Sequence, residues 1–181
     1  MSNPLLRVLV RSWFKLSTRN QVSRKIAKLA ADYRWLADDL EAESGRESVT
    51  VPTMPGVDPE MRDWSFYMLL EHNTIVNRGI SSIVEHLSNG TPLSESGKFN
   101  PKTDVLPEAT AGPDQVIAFQ ESVEAYLEMS EKLVRLRKTQ VKQHPVFGML
   151  DAHGWHCMFG FHLQIHMKQA RLIVAGCRPK Q

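Results

Sequence analysis

Residues 151–174 read DAHGWHCMFGFHLQIHMKQARLIV, a long helical pattern that carries a close histidine pair. Trp155, Met158, Phe159, His162, Ile165, His166, Gln169 and Ile173 recur at steps of three and four, the spacing of one helical face, and Asp151 stands where an N-cap belongs. Within that inward stripe His162 and His166 lie one turn apart, so their imidazoles share a side of the helix. A pair so placed can grip a metal, and a third imidazole from another helix would leave a coordination position open.

Residues 58–90 supply such an imidazole. Asp58-Pro59-Glu60 reads as cap, first helical proline and acidic first turn, and the stripe Met68, Leu69, His72, Ile75, Val76, Ile80, Ile83 and Leu87 runs to a stop at Asn89-Gly90. His72 is inside this stripe. Residues 22–42 form another bundle seam with Val22, Ile26, Leu29, Tyr33, Leu36 and Leu40. A further helix opens at Pro113, carries Val116, Phe119, Val123, Tyr126, Leu127, Leu133 and Val134, and is expected to end near His144-Pro145. No stretch alternates for long as a strand, so the expectation is an all-α four-helix bundle.

Residues 88–113 hold four prolines and three glycines and read as a long loop. Such a loop can span the ~38 Å of a 25-residue helix, so the second and third core helices can be parallel and joined by a crossover. A surface excursion between antiparallel helices is the plainer alternative.

Composition narrows the class. The chain has 181 residues with 42 % hydrophobic content, enough for one core, and a formal net charge of only +2. That balance argues against nucleic acid as a partner. Cys157 and Cys177 fit free thiols in a reducing compartment, and no apolar run reaches the ~20 residues of a membrane span, so a soluble, cytoplasmic protein is expected. The basic residues are concentrated at the start, with Arg7, Arg11, Lys15, Arg19, Arg24, Lys25 and Lys28 preceding the first acid, Asp32. Residues 1–20 therefore read as an added amphipathic basic helix ahead of a bundle domain over 21–181. Peripheral contact with anionic lipid, a cleavable targeting peptide and docking of a second subunit in a homodimer compete with plain packing on the bundle.

Two readings of the histidines stand side by side: separate core imidazoles bonded to carbonyls or waters, or a metal site that satisfies all three. Gln169, nearly one turn beyond His166, is placed to hydrogen-bond a ligand from behind. Trp155 and Phe159 are assigned to the lining of the pocket, with core packing as their plainer role. Glu71 points about 100° away from His72 and reads as a solvated or neighbour-contacting group, Cys157 is turned away from His162, and His153 and His156 are expected to be partly exposed at the helix start, with the mouth of the pocket as their alternative place.

The run Trp64-Ser65 through Glu71-His72-Asn73, then HPVFGML at 144–150, Trp155, His162, His166 and Gln169, resembles the DinB-like superfamily over residues 22–174. The resemblance implies an up-down-down-up four-helix bundle holding a divalent metal, zinc or nickel, through His72, His162 and His166. It also implies a small-molecule substrate and thiol-dependent transfer or isomerisation with a low-molecular-weight thiol; a dipositive three-histidine site also lowers the pKa of bound water, which suits hydrolysis, and the catalytic residues stay unassigned. A non-catalytic, metal-stabilised bundle acting in partner binding or stress response is the alternative. The N-terminal twenty residues extend beyond the family's core.

Overall fold

The carboxylate-free N-terminus forms a helix, α1 (Pro4–Leu16), in a computed structural model that describes residues 4–91 and 104–177. Val10 and Phe14 are buried, whereas Val8, Leu9 and Leu16 face outward. Thr18 then starts α2 (Arg19–Asp38) through a capping box: its hydroxyl accepts the Gln21 N–H, and the Gln21 side chain accepts the Thr18 N–H. The cap sets the start three residues ahead of Val22, and the helix closes before Leu40.

The connection to the next helix is more structured than its prolines suggest. β1 (Val49–Thr50) pairs antiparallel with β2 (Asp63–Trp64), and Pro59 opens only a single 3₁₀ turn, Pro59–Met61. Asp58 makes no side-chain cap, so the helix expected there does not begin. It begins at Phe66, where the Ser65 hydroxyl accepts the Met68 N–H at 3.2 Å, and α3 (Phe66–Asn89) ends on Gly90 at φ 71°.

α4 (Asp114–Lys132) stops twelve residues before His144, which corrects the longer helix expected from periodicity. Residues 141–151 instead form a hairpin, β3 (Val141–His144) against β4 (Gly148–Asp151), with His144 opposite Gly148. Pro145 and a left-handed Gly148 (φ 73°) suit a reversal and not a helix. The long loop at 88–113 falls mostly on 92–103, outside the described residues. α5 (Ala152–Cys177) starts where the Asp151 carboxylate accepts the Gly154 N–H at 2.8 Å.

The chain is mostly helical, with two small strand pairs among the described residues. α3 packs on α4 and α5, and α2 on α5 and α4. Side-chain bonds give the directions. Asn77 reaches Ser122 and Ser88 reaches the Arg135 carbonyl, so α3 and α4 run the same way. Gln120 reaches the Ala30 carbonyl while Arg19 reaches that of Leu133, so α2 and α4 run opposite ways. No helix of the described residues is long and apolar enough to cross a membrane.

Candidate metal centre

His72 is carried on the second turn of α3 and is 2 % exposed. Its Nδ1–H donates to the Val105 carbonyl at 2.7 Å, and the Trp64 ring, delivered by β2, lies 5.0 Å away. The preceding residue, Glu71, accepts the Glu108 N–H at 2.8 Å. Neighbouring side chains of α3 thus pin the 105–108 segment that presents the carbonyl to His72.

On α5 the rings of His162 and His166 are 4.5 Å apart, and His72 stands 5.2 and 4.8 Å from them. His166 Nδ1 lies 2.8 Å from Gln169 Oε1, while Gln169 Nε2 donates to the Met61 carbonyl at 2.6 Å. The carbonyl can only accept, so the amide orientation is settled and His166 Nδ1 must carry the proton. The same logic protonates His72 at Nδ1. Both residues therefore turn an Nε2 lone pair inward.

His72 Nε2 and His162 Nε2 are 3.3 Å apart, and one ligand atom from each of the three residues falls within 4.8 Å of the others. Nitrogens at ~2.05 Å from a tetrahedral metal are separated by about 3.3 Å. Without a cation, a proton on His162 Nε2 can serve His72, but His162 Nδ1 is then buried with no hydrogen-bond partner. The three residues fit a divalent cation: two imidazoles are locked in the ligating tautomer, and the third is left unsatisfied by the protein alone.

Electrostatics agree with ligation by neutral rings. Burial, opposed by the Val105 carbonyl, lowers the pKa of His72. Burial and then the neighbouring rings of His166, His72 and His144 push His162 well below its ordinary range. His166 is pushed down to about 3 by burial and His72, against the Gln169 bond. Protons therefore compete weakly with a metal at neutral pH.

The other predicted residues are scattered. Phe159 stacks on Tyr126 at 3.9 Å in the core. Trp155 is 7 % exposed and lies 5.2 Å from the ring of His144. Cys157 is buried near His153 Nε2 at 3.5 Å, and burial pushes its thiol up to about 12. His153 and His156 are 3 % and 0 % exposed, which corrects the surface role expected for them. Their rings face groups from the α1–α2 junction and from α4: His153 Nε2 lies 3.0 Å from the Phe14 carbonyl, and His156 meets Tyr126 Oη at 2.6 Å and the Arg19 carbonyl at 3.3 Å. Sequence reasoning missed His144 and the Val105 carbonyl as parts of the site. The HPVFG run held a signal for the first, since a histidine before a proline turn has its backbone neighbours within reach of its own ring. A backbone acceptor leaves no such trace.

Comparison of the chain with protein families, curated proteins and solved structures gave no match.

Proposed function

We propose that this chain is a DinB-like four-helix bundle of up-down-down-up order that holds one divalent cation, zinc or nickel, through His72, His162 and His166 and uses it in thiol-dependent transfer. The shared direction of α3 and α4, opposite to that of α2, supports the topology. The observation that carries the metal reading is the pair of Nε2 lone pairs aimed inward by Val105 and Gln169, with His162 Nε2 3.3 Å from one of them. Imidazole donors suit both metals.

Bound there, the cation supplies a Lewis-acid position whose double positive charge, uncompensated by any carboxylate, favours an anionic sulfur and lowers a thiol's pKa. The chain's own contribution is positioning. Gln169 and Val105 fix two rings before any ligand arrives, and Trp64 shields the His72 edge from water.

Metal analysis of protein purified without a histidine tag tests the first half, with close to one equivalent of metal expected and His162→Ala expected to lose it. Cobalt substitution followed by millimolar 2-mercaptoethanol tests the second. A sulfur-to-cobalt charge-transfer band is expected, and cobalt uptake without that band would refute the thiol chemistry while leaving the site intact.

A further inference from the structure

Ring nitrogens within and beside the triad lack a hydrogen-bond partner among the described residues. Trp155 Nε1 and His162 Nδ1 are buried without a hydrogen-bond partner, although Trp155 is more than nine-tenths buried. The two residues are seven apart on α5, two turns along nearly the same face. His144 comes over this face from the β3–β4 hairpin, its ring 5.2 Å from that of Trp155. Its Nδ1 accepts the N–H groups of Val146 and Phe147 at 3.1 and 3.2 Å, which puts the ring proton on Nε2. His144 Nε2–H is thus a donor too, on a half-buried residue.

Buried N–H groups left unpaired are unfavourable by more than a made hydrogen bond is favourable, and such groups in a native structure point to something that binds them. A row of donors without a facing acceptor selects an oxygen anion. The surroundings have the same sign: Arg11 donates to the Phe147 carbonyl, and Arg7 Nη2 and Arg11 Nη1 lie 2.9 and 3.2 Å from where a Cβ on Gly148, opposite His144, would project.

We infer that Trp155 Nε1–H and His144 Nε2–H form a carboxylate subsite, which binds the far end of a ligand whose other end takes the open position at His72, His162 and His166. The substrate class this assigns is a small molecule bearing a carboxylate a few bonds from its metal-seeking atom. When His162 ligates through Nε2, its Nδ1 holds the ring proton and adds a third donor to the row. The inference rests on the metal reading above.

The test compares mercaptoacetate, 3-mercaptopropionate and 4-mercaptobutyrate with alkyl thiols of matching length, titrated into cobalt-loaded protein for affinity and zinc-loaded protein for the indole ¹H–¹⁵N resonance of Trp155. That resonance is identified by its loss in Trp155→Phe, which keeps a ring and removes the donor. At least one mercapto acid is expected to bind on the order of ten-fold more tightly than its alkyl partner, to lose that advantage in Trp155→Phe, and to move the indole resonance downfield. A folded His144→Phe variant should show the same selective loss. Equal affinity of acid and alkyl thiols with an unmoved indole overturns the subsite and leaves the metal–thiol reading standing. If cobalt binds and no thiol does, or if no cobalt binds, the same resonance is followed with butyrate against butyramide, and an indole unmoved by butyrate again overturns the subsite.

Discussion

Gln169 Oε1 accepts the Nδ1–H of His166 at 2.8 Å, and the other end of the same amide is fixed on the Met61 carbonyl at 2.6 Å. The amide therefore does two things at once: it selects the tautomer of a ligand and ties α5 to the turn before β2. Gln169→Leu keeps the approximate volume and removes both bonds. Metal affinity is expected to fall about 10- to 100-fold, as measured by competition with a chromogenic chelator. Gln169→Glu keeps an acceptor for His166 but sets an oxygen against the Met61 carbonyl, so it should retain more affinity than Leu and lose stability instead.

His162 and His166 should behave differently when metal is removed. His166 is 2 % exposed and bonded to Gln169, whereas His162 is half-buried and its Nδ1 has no partner. In denaturant unfolding of metal-free protein, His166→Ala is expected to be destabilising by about 1–3 kcal/mol, because it leaves the Gln169 oxygen buried and unpaired. His162→Ala removes only the longer 3.3 Å contact with His72 Nε2 and should be less destabilising than His166→Ala. In thermal melts, saturating zinc should raise the Tm of the parent and leave both variants unmoved.

Helical periodicity made the site legible because a ligand pair at i and i+4 needs only that α5 be a helix, and His72 needed only that α3 face it. Its limits are equally physical. Helix ends are set by caps and by chain reversal, not by apolar spacing: the Thr18 and Ser65 hydroxyls choose the starts of α2 and α3, and the turn around Pro145 and Gly148 diverts 141–151 into a hairpin. The burial of His153 and His156 depends on backbone carbonyls at the α1–α2 junction, which residue type does not disclose.

His156 makes acid stability predictable. Burial is the main cause that holds its pKa down to about 4, opposed by the Arg19 carbonyl and aided by the charges of His153 and Arg19. The folded value is below the unfolded ~6.5, so the unfolded chain takes up its proton first as pH falls. Stability is full above about 6.5 and is lost between there and 4, by on the order of 3 kcal/mol from this residue. His153, lowered by burial and Arg137, acts in the same direction. Urea midpoints of metal-free protein should drop through that window. His156→Gln should flatten the slope; an unchanged slope would show that His156 does not carry it.

The N-terminal helix braces the hairpin that carries His144. Phe14 is 3 % exposed, with its ring 5.8 Å from Phe147 and 6.3 Å from Phe161. Gly148 faces Arg7 and Arg11 at φ 73°, where a β-carbon is strained and would meet Arg7 Nη2 at 2.9 Å. Phe14→Ala is expected to be destabilising by about 3 kcal/mol and Gly148→Ala by about 1–2 kcal/mol, read from denaturant unfolding. The two effects should add to less than their sum in the double variant, since each loosens the same contact between α1 and the hairpin. Because the ring of His144 lies 5.1 Å from that of Phe147 and 5.2 Å from that of Trp155, both variants should also shift the Trp155 indole resonance in folded protein. Phe14→Ala that leaves stability unchanged would mean that α1 merely rests on the surface and braces nothing.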